Sequence, residues 1–494
     1  MTTSPVNNAD ICLILEGSYP YVAGGVASWT HELISKQSHL TFHVVSILPR
    51  DENPKARYEL PKNVISLTNL HLQDMPDVPA LDSKTTKALM QALKEPLTAL
   101  TTGKAGMDDL NQIIATLAPY KGKLGAATLL DSKEAWDMLT EMYEMSFVES
   151  SFLDYFWSWR ALLGGLYSIA LADLPPAKAY HALSTGYAGL FAARAKTELG
   201  KPALLTEHGI YTSERRIEIA SADWLEETAS KALTIDRTRL NLRDMWMETF
   251  TNYSRISYAA CEPIITLFSG NQSAQIADGA APERMRIIPN GIDVERFGSI
   301  QRRAHNRPTI ALIGRVVPIK DIKGFLRSVA MLHEQVPDLR VLIMGPVDED
   351  PDYARECMNF AEYLALKDTV TFTGRVNIDD YLPEIDVVVF SSLSEAQPLT
   401  ILEAGAAGIP IVATDVGACR EMVLGAADEK PALGAGGVIV PLANPAALAD
   451  GILYLLRDKA FYEQCGKAMR SRVATYYNKN DQHLAYQGLY ATWA

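Results

Sequence analysis

Short runs rich in Val, Ile, Leu and Thr recur along this chain, and many end in Gly or Ser just before a stretch of helical character. Fully buried strands of parallel sheets read this way, because both faces are covered and no polar alternation is needed. In the first half the runs are Asp10–Glu16, Thr41–Leu48, Asn63–Leu67, Ala179–Ser184, Ala203–Glu207 and Pro263–Phe268. In the second half they are Thr309–Ile313, Leu339–Met344, Thr369–Phe372, Val387–Ser391, Pro410–Thr414 and Gly437–Val440. The even spacing of the second set, with helix-compatible sequence between runs, is that of repeated βαβ units and predicts an α/β, doubly wound domain.

The first half is interrupted between about Pro49 and Ala179 by a stretch that includes the helical segments Lys87–Leu97, Lys133–Met145 and Phe152–Ala172. We read it as a helical insertion, about 75–175, on the first domain rather than a third core. Pro289-Asn290-Gly291 is a turn signal followed by an Arg-rich segment, so the boundary falls near 290–307. The domain reading is 1–297, 298–480, and a C-terminal helix over 481–494 that packs back on the first domain. Two such domains in series are expected to face each other across a cleft that holds the ligand.

Composition narrows the function classes. With 46 Lys+Arg against 59 Asp+Glu the net charge is −13, which argues against phosphate-backbone binding and so against a nucleic-acid partner. The N-terminus MTTSPVNNAD lacks the features of a secretory signal, and the apolar run Ala161–Ala172 falls short of the roughly 20 residues that span a bilayer. Five scattered cysteines without a C-x-x-C pair suggest neither a disulfide framework nor a zinc site. A cytoplasmic location follows as the expectation.

Four constellations carry chemistry. Glu16 to Val26 is a strand end followed by a glycine loop, with Gly24 and Gly25 just before a helix at about Ala27; its N–H groups can approach an anion, or simply make a tight turn. Thr206-Glu207-His208-Gly209 closes a strand at the end where ligands of open α/β domains bind, so His208 or Glu207 can reach a ligand, or be structural. After the first strand of the second domain, Gly314 frees a turn, while Arg315 and Lys320 offer a guanidinium fork and a point charge to one diphosphate. Glu395 and Glu403, eight positions apart, straddle a strand-to-helix junction: Pro398 suits the helix start, Thr400 is available as its cap, and N–H groups at Leu399 and Thr400 can hold phosphate oxygens.

Equally informative are the motifs that do not occur. The chain has no G-x-x-x-x-G-K-[ST], no G-x-S-x-G, no H-E-x-x-H and no Gly-x-Gly-x-x-Gly after the first strand, and nothing in it reads as the D-x-D of a metal-chelating sugar transferase. Asp348-Glu349-Asp350 and Asp379-Asp380 read as solvated loops.

Gly314, Arg315 and Lys320 (G-R-x-x-x-x-K), Glu395 and Glu403 (E-x7-E), and Gly408-Ile409-Pro410-Ile411-Val412-Ala413-Thr414-Asp415-Val416-Gly417 stand in an order that resembles glycosyltransferase family four, the retaining nucleotide-sugar transferases of GT-B fold. More narrowly, LEGSYPYVAGGVASWTHELI, TEHGIYTSERRIEI, PNGIDVERF and SEAQPLTILEAGAAGIPIVATDVGACRE resemble the cytoplasmic glycosyltransferases of Pel exopolysaccharide synthesis. The resemblance implies two Rossmann-like domains and a hexosyl transfer from a UDP-sugar, UDP-glucose or a UDP-N-acetylhexosamine, to a growing polysaccharide, with membrane-bound Pel synthase components at the inner membrane as partners. The apolar stretch Phe152–Leu171 is either the contact with those partners or a buried core helix.

By the same resemblance Arg315 and Lys320 hold the donor diphosphate, helped by the backbone at Leu399 and Thr400. Glu403 binds the ribose hydroxyls and Glu395 the transferred sugar. His208 contacts the sugar near the reacting centre, Gly24 and Gly25 lie against diphosphate or acceptor, and Gly374, Arg375 and Val376 approach the nucleobase. The catalytic set is therefore His208, Glu395, Arg315 and Lys320, with no metal and no cofactor beyond the donor. One departure stands out: the family pattern has Gly directly after the lysine, whereas Asp321 follows Lys320 here and Lys323-Gly324 comes three residues later, making Lys323 a rival for the phosphate role. Other readings are a GT-B nucleotide-sugar epimerase, a glycogen-type synthase, and a catalytically silent nucleotide-sugar-binding subunit of a membrane synthase.

Overall fold

A computed structural model describes residues 8–22, 24–50, 52, 54–103, 105–220 and 240–493. Ala23 of the glycine loop and most of the N-terminal segment read above lie outside the described residues. The chain divides into two compact units, the first formed by 1–266, 272–286 and 487–494, the second by 267–271 and 287–486.

The sheet of the first unit contains β1 (Ala9–Glu16), β2 (Phe42–Leu48), β3 (Val64–His71), β4 (Ala177–Ala182), β5 (Ala203–Glu207), β6 (Ile264–Thr266) and β7 (Met285–Ile287). Their spatial order is β3-β2-β1-β4-β5-β6-β7. β1 pairs in parallel with β2 (Ile14 opposite Val45) and with β4 (Ile14 opposite Ala182), so the order reverses between β1 and β4. Such a switch point opens a crevice at the carboxyl ends of the two strands. β1 and β2 are apolar along nearly their whole length because the sheet is covered on both faces.

Helices Ser83–Thr101, Met107–Leu117, Lys133–Ser146 and Phe152–Leu171 lie between β3 and β4. Leu89, Leu93, Ile113 and Leu139 from these helices join Ile14, Val45 and Tyr180 of the sheet in one buried cluster. Phe152–Leu171 is mainly a core helix, with Tyr155, Trp159, Leu162 and Leu166 buried; Leu153 and Trp157 are exposed, the latter at 58%. Near the chain end, the Tyr490 hydroxyl meets His181 Nδ1 at 2.7 Å and its ring lies edge-on to Phe42.

The second unit is built on β8 (Thr309–Ile313), β9 (Arg340–Met344), β10 (Val370–Gly374), β11 (Val387–Phe390), β12 (Ile411–Thr414) and β13 (Gly437–Val440), in the order β10-β9-β8-β11-β12-β13. All five pairings are parallel. Side chains of β8 alternate between two cores: Ala311 and Ile313 join one cluster, Ile310 and Leu312 the other. Here the order reverses between β8 and β11. Both units thus have the Rossmann-like α/β architecture expected from the sequence.

Strand ends moved by a residue or two from the expected limits, and β3 runs on to His71. The five cysteines are buried and unpaired. Among the described residues no helix is long and apolar enough to cross a membrane.

Candidate functional site

At the switch point of the second unit, the loops leaving β8 and β11 are fastened to each other. Ser391 Oγ donates to the Lys320 carbonyl at 2.7 Å, and the Leu393 N–H donates to the Ile319 carbonyl at 2.8 Å. Thr414 Oγ1, at the end of β12, donates to the Ser392 carbonyl at 2.6 Å. On this frame Lys320 Nζ forms an ion pair with Glu395 Oε1, which also accepts from Ser392 Oγ at 2.6 Å. Their side chains are only 16% and 12% exposed, so the pair is shielded from the screening that makes surface ion pairs weak. Gly314 lies against it: a Cβ there would come within 3.6 Å of Lys320 Cε.

Asp321 explains the departure from the family pattern. Its φ of +45° lies in the left-handed region that favours glycine, and its side chain accepts from the Gly324 N–H at 3.0 Å, capping the helix Ile322–His333. Aspartate thus fills the backbone role of the missing glycine and adds a cap. Lys323 is directed elsewhere, to Glu356 Oε2 at 2.7 Å and over the Tyr353 ring, with Glu356 raising its pKa. The structure places Lys320, not Lys323, beside Glu395. Arg315 is exposed and pairs with Glu349 Oε2 at 2.8 Å, while Asp350 caps the helix Pro351–Tyr363. The acidic triplet 348–350 therefore makes specific contacts at its solvated position.

The helix after Glu395 runs Leu399–Ala406 with Pro398 at its N-cap and no side-chain cap. Thr400 is not the cap expected from the sequence: Pro398 takes the N-cap position two residues earlier, which places Thr400 inside the first turn. The first N–H groups are left without a side-chain acceptor, at the helix end that carries positive potential. Glu403 is half-buried on this helix, and burial pushes its pKa up to about 7, opposed by Arg296 and reinforced by Asp379. Arg296 is itself paired with Asp379 at 2.8 Å. Arg375 and Val376 follow β10 directly; Arg375 is exposed and Val376 packs against the core beneath.

Sequence reasoning missed Ser391, Ser392 and Gln397. Gln397 is buried, and its Oε1 accepts from the Asn290 N–H at 2.7 Å, tying the Pro289-Asn290-Gly291 turn to the loop that carries Glu395. The only signal was polarity, Ser-Ser and Gln, in a segment otherwise poised between a buried strand and a helix.

In the first unit, Gly24 and Gly25 precede and open the helix Gly25–Lys36, two residues earlier than expected. A Cβ at either glycine would meet nothing within 4 Å, and Gly24 has an extended backbone that any residue adopts. Neither the backbone of Gly24 nor crowding at either position accounts for glycine. His208 sits just beyond β5, its ring edge-on to Trp29 at 4.7 Å, and burial lowers its pKa to about 4, so it is neutral at physiological pH. Its neighbour Glu207 does not reach outward: it is 1% exposed and accepts from the Tyr211 N–H (3.0 Å), the Tyr258 hydroxyl (2.7 Å) and Gln275 Nε2 (2.8 Å). This corrects the reading of Glu207 as a ligand-reaching group; three donors make its burial affordable. Among the described residues no group of three or more His, Cys, Asp or Glu is arranged to hold a metal ion.

Comparison with known proteins agrees with this division. Residues 9–283 match the family described as "Domain of unknown function (DUF3492)", and residues 293–472 match "Glycosyl transferases group 1". Curated relatives include a D-inositol 3-phosphate glycosyltransferase of Kribbella flavida, 28% identical over 38% of this chain and 47% of the relative. Another is an MMP alpha-(1->4)-mannosyltransferase of Mycolicibacterium hassiacum, 28% identical over 46% of this chain and 51% of the relative. The chain thus spans about half the length of the curated relatives it matches. Among solved structures, HepE of Anabaena in complex with UDP aligns over 98% of this chain and 100% of that one, at 13% identity and TM-score 0.58. A sucrose-phosphate synthase of Thermosynechococcus elongatus aligns over 97% and 98%, at 16% identity and TM-score 0.56. At such identities the likeness shows the fold, that of the GT-B glycosyltransferases. The chain therefore belongs to the DUF3492 family, with a group 1 glycosyltransferase domain in its second half.

Proposed function

We propose that the protein is a retaining glycosyltransferase of the PelF type, moving a hexosyl unit from UDP-glucose or a UDP-N-acetylhexosamine to a growing Pel-type exopolysaccharide in the cytoplasm. Residues 298–480 serve as the donor domain and 1–297 as the acceptor domain. The observation that carries this reading is the shielded Lys320–Glu395 pair at the second unit's switch point, beside Gly314 and an uncapped helix N-terminus. A cation and free N–H groups converge there on the space where open α/β domains bind ligands. The choice of UDP rests on the resemblance and on HepE, a protein of the same fold solved with UDP.

In this account the nucleoside diphosphate is the leaving group. Lys320, Arg315 and the N–H groups at Leu399 and Thr400 stabilise its growing charge, a preorganised electrostatic role. Glu395, held by Lys320 and Ser392, receives hydroxyls of the transferred sugar, and Glu403 receives those of the ribose. Arg375 and Val376 lie by the nucleobase. The roles of Gly24, Gly25 and His208 are carried over from the resemblance unchanged. Open space at both glycines supports theirs, and a neutral ring able to donate or accept supports that of His208. Docking on membrane-bound Pel components would use the exposed Trp136, Leu153 and Trp157 of the helical insertion.

The test is UDP release from UDP-glucose and UDP-N-acetylglucosamine by the purified chain, with and without oligosaccharide. Release that rises with the oligosaccharide, alongside a lengthened product, supports transfer. UDP release independent of acceptor, with a free epimerised sugar, would replace it with the epimerase reading.

A further inference from the structure

The Arg-rich segment after the domain boundary has no part in the proposed transfer. Gln301-Arg302-Arg303-Ala304-His305-Asn306-Arg307 sets four basic side chains within six residues. It forms no helix or strand, yet it is fastened along the amino ends of β8 and β11. The Arg303 N–H donates to the Pro383 carbonyl at 2.9 Å, and Arg307 Nε donates to the Asp338 carbonyl at 2.6 Å. Arg302 donates to the Ile385 carbonyl, to Asp386 Oδ1 at 3.2 Å and to the Tyr462 hydroxyl oxygen at 3.2 Å. His305 bridges the Arg307 carbonyl (2.8 Å) and Asp386 Oδ1 (3.3 Å), while Asp386 Oδ2 accepts the Thr309 N–H at 2.9 Å.

A cavity of about 610 Å³ opens on this network, walled by the segment and by the first turn of the helix Lys459–Tyr476, a size that takes a small molecule. Pro308 and Asp386, which line it, immediately precede β8 and β11, whereas Lys320 and Glu395 follow those strands. The 5 residues of β8 put about 16 Å between the two ends of the sheet, so this cavity is separate from the donor site.

The polar groups that line it are unevenly matched. Asp386 is satisfied by Arg302, His305 and the Thr309 N–H. Lys459 makes no ion pair or hydrogen bond among the described residues, although Glu463 lies four positions on along the same helix. Arg303, 67% exposed, is held loosely, 3.8 Å from Glu384. Tyr462 accepts from Arg302 and keeps its own proton to donate. Against these donors the lining sets one unmatched carboxylate, that of the exposed Glu463. The missing partner is therefore an acceptor-rich anion. The tetrahedrally spread oxygens of a phosphate suit an ammonium, a guanidinium and a phenol from separate elements better than the two coplanar oxygens of a carboxylate do. Pro308 and Leu456 offer an apolar wall to the group that carries it.

We propose that Arg303, Lys459 and Tyr462 form a binding site for a phosphate ester, carried by a small soluble molecule or by a lipid headgroup. Arg302, His305 and Asp386 are its frame, holding the segment and the Tyr462 hydroxyl in place.

Calorimetric titration of the full chain with glycerol 3-phosphate, in the presence of excess UDP, tests the soluble source, with glycerol and acetate as the uncharged and carboxylate counterparts. Co-sedimentation with phosphatidylcholine vesicles, with and without phosphatidylglycerol, tests the headgroup source. Saturable binding in at least one arm is expected, weakened about tenfold by Lys459→Ala and a few-fold by Arg303→Gln, as loss of charge-assisted contacts predicts. Both side chains are exposed, so melting temperature and UDP affinity should stay at wild-type values. Binding of glycerol 3-phosphate assigns the ester to a soluble molecule, and binding of the phosphatidylglycerol vesicles alone assigns it to a headgroup. No binding in either arm, binding undiminished in both variants, loss in Lys320→Ala instead, or acetate bound as tightly as glycerol 3-phosphate overturns the site. Phosphate binding of the expected pattern by a chain that binds no UDP would sustain the site and defeat the donor reading, so the two fail separately.

Discussion

The two switch points share a topology and differ in charge chemistry. In the second unit the loops after β8 and β11 bring a lysine and a glutamate into a shielded pair beside an uncapped helix start. In the first, the corresponding helix start is already taken by the carboxylate of Glu16, with tyrosines around it. A helix N-terminus that is free attracts an anion, and one occupied by a built-in anion turns anions away. The same βαβ crossing thus leaves a helix start open in one unit and closes it in the other by where one acidic side chain sits.

The largest effect should come from breaking the second unit's pair. Lys320→Ala removes a cation and leaves Glu395 unpaired, so UDP affinity and turnover should fall roughly ten- to a hundredfold, the scale of about 1.5–3 kcal/mol for one charge-assisted contact. Glu403→Ala should reduce turnover by at least about tenfold on the same grounds. Steady-state kinetics and calorimetry on folded variants check both; near-normal values would remove these residues from the site.

Glu403 also gives a pH signature. Its pKa is raised to about 7, chiefly by burial, so in the free protein it is protonated below that pH and ionised above it. If the carboxylate receives ribose hydroxyls, UDP affinity should weaken as pH falls through 7 and level off above it. Glu403→Gln should flatten that dependence, and an unchanged pH profile in the variant would assign the titration to another group.

A smaller effect is expected at the glycine loop. Gly24→Ala and Gly25→Ala meet no atoms, so melting should stay within about 1 kcal/mol of wild type while turnover drops a few-fold. Turnover unchanged in both would return the loop to a plain turn. The smallest effects should be those of Lys323→Ala and Asp321→Gly. The first touches only an exposed pair with Glu356 and the Tyr353 ring; the second trades a cap for relief of a left-handed backbone, so UDP affinity should be unaltered in each. A loss with Lys323→Ala matching that of Lys320→Ala would restore the rival assignment.

Much of the fold could be read in the sequence because buried parallel strands are written as apolar runs. Ala203–Glu207, Thr309–Ile313 and Gly437–Val440 fall where those runs predict. β3 outran its expected end because Thr68, Asn69 and His71 are polar, yet as an edge strand it pairs only with β2 and tolerates them. For the site, the strand, proline and helix around the two acids, together with the family resemblance, pointed to Lys320, Glu395 and Glu403. Beyond local spacing lay the left-handed φ of Asp321, the Gln397–Asn290 bond across 107 residues, and the inward turn of Glu207 onto Tyr258 and Gln275. The last two depend on contacts made by segments far apart in the chain, which no local pattern encodes, and the first on a backbone angle that the residue type does not announce.

The central claim is a cationic diphosphate pocket at the second unit's switch point. Calorimetric titration of wild type and Lys320→Ala with UDP, GDP and ADP, without and then with Mg²⁺, tests it most directly. The account predicts preferential UDP binding that persists without the metal and drops at least about tenfold in the variant. UDP binding of equal strength in both proteins, or none in the wild type, would contradict it.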